Sequence, residues 1–83
     1  MIDIPIELPA GWRASRFDDD CIMVCAPGLG RVAVTINVKE RSFVLGALRP
    51  RRTVLGVDVY RGRGWQAQLY TAAVEALQRS LNG

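Results

Sequence analysis

The chain has 83 residues, 49% of them hydrophobic, and a formal charge of +3. That length supports one domain, residues 1–83, around a single modest core; the composition excludes disorder and low complexity. No apolar run reaches membrane-spanning length, and MIDIPIELP lacks the basic and apolar regions of a signal peptide, so a soluble cytoplasmic protein is expected.

Ile2, Ile4, Ile6 and Leu8 alternate with Asp3, Pro5 and Glu7. Period two predicts a strand, and Pro5 on the polar side restricts residues 1–8 to a sheet edge or an extended arm. Pro9-Ala10-Gly11 turns the chain into a short strand from Trp12 to Phe17, with Trp12 and Ala14 on one side and Arg13 and Ser15 on the other. Asp18-Asp19-Asp20 reads as a solvated hairpin turn, because aspartate bonds its own backbone. A calcium loop needs spaced oxygens and a glycine, which this triplet lacks.

Cys21 to Ala26 is apolar on both faces, the mark of a central strand, and Pro27-Gly28-Leu29-Gly30 makes a hairpin loop. Val32, Val34, Ile36 and Val38 then point one way, with Arg31, Ala33, Thr35 and Asn37 opposite. After a turn at Lys39-Glu40-Arg41, Ser42 to Leu48 returns as a strand with Gly46 as a bulge candidate. Arg49-Pro50-Arg51-Arg52 breaks the pattern as an exposed basic loop. Val54 to Tyr60 forms another strand, with Leu55, Val57 and Val59 towards the core.

The last element is a helix over 64–81. Trp65, Leu69, Ala73, Leu77 and Leu81 step by four, Tyr70, Val74 and Ala76 widen that face, and the polar residues gather opposite. Gly64 can cap its start and Asn82-Gly83 its end. Burying Trp65 and three leucines contributes roughly 8–10 kcal/mol, as an upper figure. The fold class is therefore α+β: an antiparallel meander of about four to five strands over 12–60, with one C-terminal helix packed on one face. One helix covers one face only, so the second face of Cys21–Ala26 needs either the arm Met1–Leu8 or another subunit.

Chemistry-bearing residues are sparse. Cys21 and Cys25, four apart in an extended run, lie roughly 13 Å apart, beyond disulfide reach. With no histidine present, they read as buried thiols, and neither a metal nor a cofactor is expected. No histidine base, Ser-His or Cys-His pair, or recognisable carboxylate pair supports catalysis, so the chain is not expected to be an enzyme. Gly62-Arg63-Gly64-Trp65-Gln66-Ala67 fits part of a dinucleotide fingerprint. The fingerprint also needs a second parallel strand bearing a ribose-binding acid, and none follows.

The basic residues carry what signal remains. All but one of the 11 are arginine, whose planar fork suits phosphates. In an up-down meander Arg31, Arg49, Arg51 and Arg52 share one end with no acidic neighbour, while Lys39, Arg41, Arg61, Arg63 and the aspartates share the other. Arg61 and Arg63 precede the helix, where its dipole disfavours cations. Two readings stay open there: an anion bound between them, or side chains that point into water or pair with Asp18–Asp20.

A three- or four-stranded antiparallel sheet backed by one C-terminal helix resembles the layout of double-stranded RNA-binding domains and of integrase N-terminal DNA-binding domains. The resemblance is one of architecture. The loop lysines and first helix of the RNA-binding family have no counterpart, so no functional residue carries over, and the likeness only adds to the expectation of a nucleic-acid partner. The expectation is thus a non-catalytic binding module that contacts nucleic acid through Arg31, Arg49, Arg51 and Arg52, aided by Arg61 and Arg63. The alternative is an interaction protein that buries an apolar sheet face in a homodimer or a larger complex.

Overall fold

A computed structural model of the chain describes residues 2–28, 32–51 and 59–82. Four strands, β1 (Arg13–Arg16), β2 (Cys21–Cys25), β3 (Ala33–Asn37) and β4 (Ser42–Leu45), form an antiparallel sheet in the order β1-β2-β3-β4. The helix α1 (Trp65–Asn82) packs against β3 and β4. This is the meander with a C-terminal helix that the hydrophobic periods predict.

Register places Ala14, Val24, Val34 and Leu45 in one row across the sheet, and Arg16, Ile22, Ile36 and Phe43 in the next. Side chains of a strand alternate between faces, so these rows form the face turned to the helix. There Val24, Val34 and Ile36 meet Leu69, Ala73 and Leu77 of α1, all six fully buried. The helical stripe is narrower than its sequence period suggests: Trp65 is half-buried, and Leu81 is 46% exposed in the last turn.

Residues 2–8 keep their alternation in burial without joining the sheet. Ile4, Ile6 and Leu8 pack against the core on the helix side while Asp3, Pro5 and Glu7 face water. The arm therefore does not cover the second face of β2 and β3. That face is closed in part by the chain after β4. The strand expected to run to Leu48 ends at Leu45, and the Gly46 N–H makes a last bond to the Ala33 carbonyl at 2.7 Å. Gly46, at φ 106°, adopts a backbone geometry open to glycine and strained for other residues. Beyond it the chain doubles back. Thr35 Oγ1 donates to the Gly46 carbonyl at 2.7 Å and Asn37 Nδ2 to the Pro50 carbonyl at 3.1 Å. Both side chains are fully buried, as is Cys21 on the same face.

The remaining turns follow their residue chemistry. Asp18 Oδ1 accepts from the Asp20 N–H at 2.9 Å, the self-capping expected of aspartate in a hairpin turn. Asn37 Oδ1 accepts from the Glu40 N–H at 2.9 Å, which orders the β3–β4 turn. Most of the strand expected over Val54–Tyr60 lies outside the described residues. Of its last two, Tyr60 packs against the core, whereas Val59, expected to face inward, is 57% exposed.

Candidate nucleic-acid interface

The reversal at Gly46 decides where the arginines go. A strand continuing to Leu48 would carry Arg49 to the end of the sheet away from the aspartates. Because residues 46–50 instead run back towards Asn37, Arg49 arrives beside the β1–β2 turn. Its Nη1 pairs with Asp18 and its Nη2 with Asp20 Oδ2, the latter at 3.1 Å. The basic loop expected to lack acidic neighbours thus has two, and Arg49 is committed to a structural fork. Arg51 is exposed at the end of the return segment. Arg31 and Arg52 lie outside the described residues.

The fork shows in the electrostatics of the turn. Burial pushes the Asp18 carboxyl upward, but hydrogen bonds from the Asp20 N–H, Cys21 and Arg49, with the Arg49 charge, outweigh it and hold the group below its ordinary value. Cys21 moves the other way. Burial, then the hydrogen bond and negative charge of Asp18, push its thiol up to about 11. A thiol so held is a poor nucleophile at neutral pH. Cys25 is half-buried, and both cysteines are free.

Arg61 and Arg63 stand at the entrance of α1. Gly62 and Gly64 flank them at φ 82° and 76°, and the Gly64 carbonyl accepts the Gln68 N–H at 3.1 Å, the bond that opens the helix. The first turn of α1 carries no acidic residue. Arg61 and Arg63 are both exposed, and among the described residues neither makes an ion pair; Asp18 and Asp20 are taken by Arg49. Arg41 braces this elbow. Its guanidinium lies over the Trp65 ring, 4.1 Å from the centroid, while Nη1 donates to the Tyr60 carbonyl at 2.8 Å. Arg41 itself sits at φ 55°, a left-handed conformation in the tight β3–β4 turn.

No family model, curated protein or solved structure matches this chain.

Two features escaped the sequence reading. Arg16 lies on the face turned to the helix, and with Lys39, Asp3, Asp19, Ile22 and Tyr70 it lines an open cleft of about 610 Å³. The signal was a charge in phase with Trp12 and Ala14 on an otherwise apolar side. The second feature is a smaller, mostly apolar groove of about 330 Å³, where Leu48 and Pro50 of the return segment meet Phe43 and Val44 of β4. It depends on the reversal at Gly46, which no periodicity announces.

Proposed function

We propose that this protein is a small non-catalytic module that binds nucleic acid through the elbow before α1, with Arg61 and Arg63 as its phosphate-contacting residues and Arg51 as an auxiliary. The observation that carries this reading is their position: two exposed arginines flanked by glycines, at the positive end of a helix with no acid in its first turn. Such a pair attracts phosphate and carries no base-reading group of its own, so binding is indifferent to sequence and sensitive to salt. Arg49 leaves the contact set because Asp18 and Asp20 already hold it.

The test is fluorescence anisotropy with a short labelled DNA duplex and its RNA equivalent, across a salt series. Each phosphate contact contributes about −0.9 to the slope of log K against log salt, so removing two shallows it by about 1.8. Replacing Arg61 and Arg63 together with glutamine should produce that change, whereas Arg49→Gln should leave the slope intact. No binding at low salt, or a double variant with unaltered slope, overturns the proposal.

A second reading has its own observation. Leu48, 64% exposed, lines the apolar groove with Phe43, Val44 and Pro50, a surface suited to assembly with another protein or a second copy. Light scattering over a concentration series distinguishes it: a mass that rises with concentration and falls back on Leu48→Asp supports assembly, and a constant monomer mass removes the homodimer.

A further inference from the structure

The hydrogen-bond phase of the sheet leaves one edge exposed in a defined way. The Val38 N–H donates to the Asp20 carbonyl and the Ala26 N–H to the Val32 carbonyl, each at 3.0 Å, so even-numbered residues of β2 bond to β3. The Phe17 N–H donates to the Cys21 carbonyl at 3.0 Å, which gives the odd-numbered residues of β2 to β1. Antiparallel pairs alternate between bonded and non-bonded positions. Arg13 and Ser15 therefore use their backbone groups on β2, while Ala14 and Arg16 direct an N–H and a carbonyl each away from the sheet. β1 is an edge strand, and no backbone bond from another described residue reaches these groups. The arm, which carries Asp3 and Glu7 in strand-like alternation, packs on the core instead of pairing there.

The side chains say what the edge admits. Arg13 and Arg16 are exposed, project from opposite faces, and make no ion pair with a described residue. A second copy pairing antiparallel about Ser15 would bring the two Arg16 side chains into diagonal contact range, where like charges oppose pairing. Charge on an edge strand guards against such self-association. The same charges favour an incoming strand with carboxylates opposite Arg16 and Arg13, three residues apart. Between them the residue facing Ala14 should be apolar, because Ala14 packs against the core.

The geometry points to β1 as a docking edge for an extended acidic segment of another protein, added antiparallel with acids at positions one and four of a Glu-x-apolar-Glu pattern. Main-chain bonds to Ala14 and Arg16 supply the pairing, and the arginines supply selectivity. This surface is independent of the arginines at the helix entrance, so either reading can fail alone.

The probe is a labelled, end-capped peptide TVETVETVT, with TVKTVKTVT as its charge-reversed control. Binding is followed by anisotropy, and the site by amide hydrogen exchange in the full chain. The acidic peptide should bind saturably, slow exchange at Ala14 and Arg16 selectively, and bind at least about tenfold more tightly than the lysine control. Ala14→Pro removes an outward N–H without touching the β1–β2 ladder and should abolish that protection. If that variant unfolds, Arg13→Glu with Arg16→Glu serves in its place and should reverse the preference between the peptides. Four outcomes overturn the inference: no saturable binding up to roughly 1 mM, equal binding of both peptides, protection away from Ala14 and Arg16, or protection of those amides by a second copy without peptide.

Discussion

Asn37→Ala tests the account of the return segment most directly. Asn37 is fully buried and bonds in two directions, with Nδ2 donating to the Pro50 carbonyl and Oδ1 accepting from the Glu40 N–H. Alanine leaves both partners unmet, and Pro50 is itself buried. A lost bond of this kind costs about 1 kcal/mol net, and a stranded buried acceptor adds about 1–3 kcal/mol, so the expected loss is about 2–4 kcal/mol. Thr35→Val fills the same space and gives up one bond to Gly46, so its cost should be smaller, about 1 kcal/mol. Urea unfolding followed by tryptophan fluorescence gives both numbers. Asn37→Asp sharpens the test. The introduced carboxylate faces the Pro50 carbonyl, which raises its folded pKa, whereas the protonated acid can still donate. Its stability relative to wild type should be greatest at low pH and fall as pH rises above the unfolded carboxyl value of about 3.9. An Asn37→Ala cost below about 0.5 kcal/mol, the range of ordinary surface changes, would refute the role given to residues 46–50.

Three further outcomes follow from the core and the turn. Leu77→Ala, at a fully buried position, should cost about 2–5 kcal/mol in urea unfolding, while Leu81→Ala in the exposed last turn should cost under about 1 kcal/mol. Thiol labelling should modify Cys25 well before Cys21 in the folded protein; because the Cys21 pKa is raised from 9.0 to about 11, its contribution to stability is complete below pH 9 and is lost as pH rises towards 11. The Asp18 carboxyl is lowered, so its contribution is present above its unfolded pKa and lost as pH falls through the folded value; Arg49→Ala should move the Asp18 titration upward when followed by carbon-detected NMR.

The fold was legible where one periodicity held over a full element. The valine and isoleucine alternation from Val32 to Val38 and the four-step stripe of Leu69, Ala73 and Leu77 gave β3 and α1 within a residue or two. The arm from Ile2 to Leu8 shows the limit of such patterns: its alternation reports which side chains are buried, and no hydrogen-bond partner is encoded in it. Leu81 failed for a related reason. A helical stripe continues in sequence after the surface it packs on has ended. The arginines were harder still, since their placement depends on a reversal set by one glycine and two buried polar side chains. Thr35 and Asn37 lie opposite the valines in the alternation, and nothing in that pattern tells that their side chains donate to the carbonyls of Gly46 and Pro50 and so hold the returning chain.

That reversal bears on both functional readings at once. By laying residues 46–50 over Thr35 and Asn37, it covers apolar and polar surface that would otherwise invite a partner, and by delivering Arg49 to Asp18 and Asp20 it removes a phosphate contact. What it leaves outside is chemically sorted. Exposed arginines that make no ion pair with a described residue stand at the entrance of α1 and along the β1 edge, while Leu48 marks a separate apolar groove. A polyanion, an acidic strand and an apolar partner would each meet a different part of this surface. Their salt responses differ in sign and size: phosphate contact weakens with a slope set by the number of arginines engaged, strand addition weakens only through its two charge pairs, and apolar assembly holds or strengthens as salt rises. The salt dependence of whatever partner is captured therefore identifies the surface before any complex is solved.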